Sequence, residues 1–207
     1  MVRNIIESFF ELVMRAMKDE AQELESLRAG VGKNSDFASL ALYREEWYTP
    51  VIYKELYRAK TLEFSLIEKP TPPSGTEHEV KGKLDLAVRG GDGEKADIEI
   101  KGWWPNQTEK LITVMRGHAR QMVNYPKNFG LFLMLFAHCR ATDGKLKILV
   151  DHIPRKLNES LRAEMATAKF SLALCDSFEH LVEGGEKGEF GVVLLSFERD
   201  GGLGDDM

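Results

Sequence analysis

Cysteine is nearly absent from this chain, with only Cys139 and Cys175 among 207 residues. Two thiols lacking metal-ligand spacing build neither a zinc site nor a disulfide framework, and their apolar neighbours point to buried free thiols. Long apolar runs are missing too. A membrane-crossing helix needs roughly eighteen or more apolar residues in succession. The stretch from Phe129 to Ala137 has the length of a buried strand instead. The first residues alternate acidic and apolar side chains, unlike the basic and then apolar segments of a secretory leader. The expectation is a cytoplasmic protein with no membrane partner.

Other absences narrow the chemistry. There is no HExxH and no GxSxG, and the five histidines are scattered, so protease and esterase readings have no support. Gly30-Val-Gly-Lys-Asn-Ser35 lacks the first glycine of a phosphate loop and follows a helix where that motif needs a strand. No internal repeat is present. Basic excess is missing as well: the net charge is −5, which counts mildly against nucleic-acid binding. Much of the acid, however, is gathered in Glu7, Glu11, Asp19, Glu20, Glu23 and Glu25, in the stretch 183–189 and in Asp205-Asp206. The remaining centre is near-neutral or basic. It carries Arg116, Arg120, Lys127, Arg140, Lys145 and Lys147, which read either as a patch or as solvated surface.

The length suits one α/β domain over 1–207. It divides into a helical extension (1–47), a core (48–138) and a C-terminal helix with closing strands (139–207). Ile6, Phe9, Phe10, Val13, Met14, Met17, Ala21 and Leu24 recur at helical spacing, predicting an amphipathic helix over 3–28. Its stripe serves either the chain's own core or a homodimer contact. A second helix is expected over Asp36 to Trp47. A third starts at Thr49-Pro50, with Thr49 as N-cap and Pro50 at the first helical position, and runs to Arg58. Thr61 to Ile67 reads as a strand, and Lys69 to Gly75 as a loop. Gln107 to Tyr125 is helical, with Leu111, Val114, Met115, His118, Met122 and Val123 to one side. The apolar run Phe129 to Ala137 fits a strand covered on both faces. Leu157 to Ala168 is a further helix, and Phe170 to Cys175 and Glu189 to Phe197 are closing strands.

The most telling segment is Lys83 to Trp104, KLDLAVRGGDGEKADIEIKGWW. Leu84, Leu86 and Val88 alternate with polar or small residues, as do Ala96, Ile98 and Ile100 beyond a glycine-rich turn. This is a β-hairpin. Pairing Leu86 with Ile98 and Val88 with Ala96 centres the turn on Asp92 and sets Asp85 opposite Glu99, with Lys101 on the same face. A one-residue slip would bury the charges and expose the aliphatics. Directly opposed carboxylates repel unless neutralised, and a divalent cation would neutralise them. The plainer reading is a solvated polar face of an antiparallel hairpin.

The order helix, three meandering strands, helix, strand over Tyr48 to Ala137, with thirteen residues between Asp85 and Glu99-Ile100-Lys101, resembles the PD-(D/E)XK nuclease superfamily, also called restriction-endonuclease-like. The proline of that signature is replaced here by Lys83-Leu84. Arg120-Gln121-Met122-Val123-Asn124-Tyr125 is similar to the helix that follows the motif in many relatives, and Glu55, with Glu46 as alternative, matches a common glutamate of the first core helix. The resemblance implies a mixed β-sheet flanked by helices. It also implies Mg²⁺ or Mn²⁺ held by Asp85, Glu99 and the Ile100 carbonyl, with Lys101, Gln121 and Glu55 completing a catalytic set that hydrolyses phosphodiesters.

The residue types suit that chemistry. Hard oxygen ligands suit Mg²⁺, which uses one or two carboxylates and keeps several waters. An amine beside them can position or deprotonate water and offset phosphate charge. Trp103 and Trp104 either stack on bases or close the sheet edge, and with Arg116 and Arg120 they are the candidate nucleic-acid contacts. The expected function is a nuclease acting on DNA, in defence or repair. The alternative is a catalytically silent member of the same fold that binds nucleic acid or serves in an assembly.

Overall fold

From Leu131 to His138 every residue is buried, because this strand lies inside a sheet with helices on both faces. The structure, a computed structural model, describes residues 2–31, 40, 45–59, 63–65, 85–89, 95–124, 130–139, 145–182 and 186–199. The elements are α1 (Val2–Val31), α2 (Glu45–Ala59), β1 (Glu63–Ser65), β2 (Leu86–Arg89), β3 (Lys95–Trp103), α3 (Thr108–Asn124), β4 (Gly130–Cys139), α4 (Lys145–Ser160), β5 (Ala168–Leu181) and β6 (Lys187–Arg199). Six strands form one mixed sheet in the order β1-β2-β3-β4-β6-β5. Among the described residues only β3 and β4 run parallel, and α3 lies in the crossover between them. The chain is thus α/β. Among the described residues no helix is long and apolar enough to cross a membrane.

Period-two alternation divides the sheet between two cores. Ile98, Ile100, Met134, Phe136, Val192 and Leu194 pack against Phe9, Val13 and Met17 of α1 and Tyr48, Ile52 and Leu56 of α2. On the opposite face Leu133, Leu135, Val193 and Leu195 pack against Met115 and Ala119 of α3 and Val150, Ile153 and Leu157 of α4. The amphipathic stripe of α1 is therefore spent on the chain's own core. The hairpin pairs as its alternation requires, Leu86 with Ile98 and Val88 with Ala96.

Several expectations are corrected. α2 starts at Glu45 and runs through Pro50, so Thr49 is not its N-cap. An interior proline forfeits a backbone hydrogen bond, but Tyr48, Ile52 and Leu56 fall on one helical stripe with at most 1% exposure. Burial of each contributes about 1.5–3 kcal/mol, enough to carry the helix past it. The helix expected over Leu157 to Ala168 is displaced: α4 spans Lys145–Ser160 with Pro154 inside. Its buried residues Leu146, Val150, Ile153 and Leu157 keep helical spacing across the proline. β5 extends to Leu181, well beyond Cys175. The cysteines are not buried either. Cys139, the last residue of β4, is half-buried, and Cys175 is exposed because β5 is an edge strand and apolar neighbours in sequence do not cover it. The helix expected over Asp36 to Trp47 lies outside the described residues except for Leu40 and the start of α2, as do the loop Lys69–Gly75 and the hairpin turn.

One glycine is fixed by close approach. A Cβ on Gly188 of β6 would stand 2.4 Å from Val182 Cγ1 and 2.7 Å from the Cys139 carbonyl oxygen, and a sheet carbonyl cannot retreat. Gly188→Ala is expected to lose about 1–3 kcal/mol, read as a lowered urea midpoint. Gly102→Ala, whose Cβ meets nothing within 4 Å, should stay within about 0.5 kcal/mol of the parent.

Candidate functional site

Strand alternation places Asp97, Glu99 and Lys101 on the α3 side of β3, with exposures of 4%, 1% and 4%. This overturns the reading of a solvated polar face. The reason lies in topology: β4 follows through the α3 crossover, and the helix covers the face that the hairpin alone would leave to water.

Burial makes pairing obligatory, since an unpartnered charge inside a protein costs several kcal/mol. Lys101 Nζ lies 2.6 Å from Glu99 Oε1, donates to the Ile100 carbonyl oxygen at 2.8 Å and stands 3.9 Å from Asp85 Oδ2. Three oxygens named from the sequence as metal ligands thus converge on one ammonium. Asp85 itself leaves the ladder. The described pairing of β2 with β3 starts at Leu86, and the Ile100 N–H donates to Asp85 Oδ2 at 2.7 Å, so a side-chain oxygen takes a backbone amide of the neighbouring strand. Asp85 keeps 33% of its side chain exposed. It is the solvent-facing member of the group.

A further partner comes from α3. His118 Nδ1 lies 3.0 Å from Glu99 Oε1. Burial raises the affinity of the Glu99 carboxylate for a proton, but the His118 hydrogen bond and the charge and hydrogen bond of Lys101 outweigh it, and the net pKa falls below the ordinary 4.5. Both contacts fall on Oε1. Oε2 is buried and has no hydrogen-bond partner among the described residues.

Not every expected residue is brought here. Gln121 sits one turn beyond His118 on α3, half-buried, and the contact to the carboxylates comes from His118. Glu55 is held elsewhere: its carboxylate meets Arg15 of α1 at 2.8 Å and Arg58 at 3.8 Å. Of α2, Tyr48 lines the cleft that Lys101 also lines. The side chain of Glu46 lies outside the described residues. Trp103 is corrected as a nucleic-acid contact. It is 2% exposed, packed in the core beneath α3 and α4, with Nε1 donating to Thr108 Oγ1 at 3.2 Å. Trp104 remains half-buried and stacks on His138 at 4.9 Å. Arg116 and Arg120 are exposed on α3.

The sequence reading missed His118, Tyr48 and His138 as site residues. The signal for His118 was present, since a polar side chain stood among the inward positions of α3. Tyr48 and His138 are joined only by folding: the Tyr48 hydroxyl and His138 Nε2 form a short, buried hydrogen bond.

No family model, no curated protein and no solved structure matches this chain. Among the described residues no three His, Cys, Asp or Glu side chains form a group that could hold a metal. The oxygen set is two carboxylates and a main-chain carbonyl, with Glu99 Oε2 the open acceptor. Hard divalent cations that retain waters take oxygens of this kind, but here the Lys101 ammonium stands among them.

The depressed Glu99 pKa fixes a pH dependence. Its stabilisation is complete above the unfolded value of 4.5 and is lost as pH falls through the lower folded value. Glu99→Gln should cost on the order of 3 kcal/mol near neutral pH, by leaving Lys101 with a weaker counter-charge. It should also flatten the loss of stability below pH 4.5. Urea titrations across that range check both.

Proposed function

We propose that this chain is a divalent-metal-dependent nuclease with a restriction-endonuclease-like core, hydrolysing phosphodiester bonds in DNA. The observation that supports it is the convergence of the Asp85 carboxylate, the Glu99 carboxylate and the Ile100 carbonyl on the Lys101 ammonium. A buried lysine held between two carboxylates and a carbonyl on a hairpin strand is a costly arrangement for structure alone. It is a useful one where anionic substrate charge must be met.

A bound Mg²⁺ would supply Lewis-acid polarisation of the scissile phosphate and lower the pKa of its bound water. Asp85 and Glu99 would hold it, with the Ile100 carbonyl as the third ligand. Glu99 offers Oε2, while Oε1 stays fixed by Lys101 and His118. His118 would thereby hold the carboxylate rotamer and leave Oε2 as the open oxygen. If the Ile100 carbonyl took a ligand, Lys101 would lose one of its acceptors. Its ammonium can then turn to the phosphate, or its amine can position or take a proton from the attacking water. Asp85, the exposed member, is where solvent and substrate enter.

A second reading has its own support. The ammonium at 2.6 Å from Glu99 already compensates that carboxylate, so the buried pair can persist without a cation. The same fold would then act as a catalytically silent nucleic-acid-binding or assembly subunit. Purified chain with Mn²⁺ separates the two on plasmid, single-stranded DNA and RNA. The nuclease reading expects cleavage that falls roughly 10²–10⁴-fold in Lys101→Ala, and calorimetric Mn²⁺ binding that disappears in Glu99→Gln. Absence of both cleavage and metal binding establishes the silent reading.

A further inference from the structure

Beyond Lys101, β3 and β4 end and the two faces of the sheet meet in a cleft of ≈ 210 Å³. In open α/β sheets, ligands favour the crevice at the carboxyl ends of parallel strands, and β3 and β4 are the parallel pair here. We propose that this cleft takes one unpaired nucleotide, its base against Trp104 and His138 and its phosphate toward Lys101 and Lys110. For cleavage this deepens the nuclease reading; for binding it stands without it.

Size sets the first constraint. Pockets that enclose drug-sized ligands run to roughly 300–1,000 Å³, so ≈ 210 Å³ holds one base with part of its sugar and excludes a base pair. A base still stacked and paired in a duplex could not enter. The substrate strand must offer a nucleotide that is single-stranded or turned out of the helix.

The lining supplies the chemistry. His138 is 3% exposed and lines the cleft together with Tyr48. Its Nε2 is taken by the Tyr48 hydroxyl, while Nδ1 is buried with no hydrogen-bond partner among the described residues. Leaving such a group unmet costs free energy, and a ligand with its own donor or acceptor would satisfy it. Burial, with a contribution from His180, pushes the His138 pKa down to about 3, so the ring is neutral and suits the amide-like edge of a base better than an anion. Trp104, stacked on His138 with ring planes 25° apart, supplies an apolar aromatic wall of the kind on which bases stack. Lys101 and Lys110 provide cationic groups, and Gln107 a neutral amide, for the sugar-phosphate side.

Gly102 keeps the space open. It belongs to the cleft lining, is exposed, and a Cβ there would meet nothing within 4 Å. The fold does not demand glycine at this position, whereas an occupant of the cleft would. Gly102→Val should therefore fill the cleft without straining the strand.

The test is fluorescence anisotropy of a labelled short single-stranded oligonucleotide with the full chain in EDTA, so that no cleavage intervenes. The parent is expected to bind the single strand at least tenfold more tightly than the same sequence as a blunt duplex, with a free mononucleotide competing for the site. Gly102→Val should weaken single-strand binding at least tenfold with an unchanged melting temperature. Lys110→Ala should weaken it and lower the slope of log affinity against log salt by roughly 0.7, as loss of one phosphate contact to a single strand requires. Equal affinity for duplex and single strand, or a Gly102→Val protein that binds like the parent, overturns the inference. If the strand binds as expected but Mn²⁺ elicits no cleavage, the nuclease reading fails and the cleft stands. If cleavage occurs and is indifferent to Gly102→Val, the reverse holds.

Discussion

The ion pair of Glu99 and Lys101 is the interaction around which the rest of this molecule is arranged. β3 lies inside the sheet with a helical layer on each face, so Glu99 and Lys101 in its middle are withdrawn from bulk water. Two ions so placed cost several kcal/mol each unless each finds a partner and its remaining hydrogen-bonding capacity is met. The partners come from three directions. Lys101 reaches back to the Ile100 carbonyl, Asp85 closes the neighbouring strand toward it, and α3 sets His118 against Glu99. Remove the pair and these three placements lose their reason.

Polarity alternation in the hairpin was legible because register and side-chain facing are local properties. The pairs Leu86 with Ile98 and Val88 with Ala96 follow from the turn and the two-residue period alone. What covers the polar face was not legible. An alternating strand says that one face differs from the other, and it says nothing about which helix crosses it. β4 was the opposite case: an unbroken apolar run can satisfy only a strand enclosed on both sides, and β4 is one.

The prolines and the site residues from outside the hairpin show where local reading ends. Pro50 and Pro154 resemble punctuation in a string, yet both sit inside helices whose apolar stripes outweigh one missing hydrogen bond. Glu55 was placed at the site by its position in the chain, but α1 presents Arg15 to it, and helix packing decides which residue of α2 reaches the cleft. Trp103 and Trp104, adjacent in sequence, separate because consecutive side chains at a strand end point to opposite sides. One closes the core and the other stays half-buried at the cleft. Tyr48 and His138 are ninety residues apart, a pairing that no local pattern encodes.

Asp85 carries two duties that cannot be varied separately. Its Oδ2 takes the Ile100 amide, which in an ordinary antiparallel pair would belong to a backbone carbonyl of the facing strand. The same carboxylate faces Lys101 and solvent. Anything that draws this oxygen away, whether a cation or a proton, also loosens one rung of the sheet. The rate at which the Ile100 amide exchanges its hydrogen with solvent is therefore a direct gauge of how strongly the cluster is engaged. The molecule carries its own reporter on a backbone nitrogen, with no need of a label.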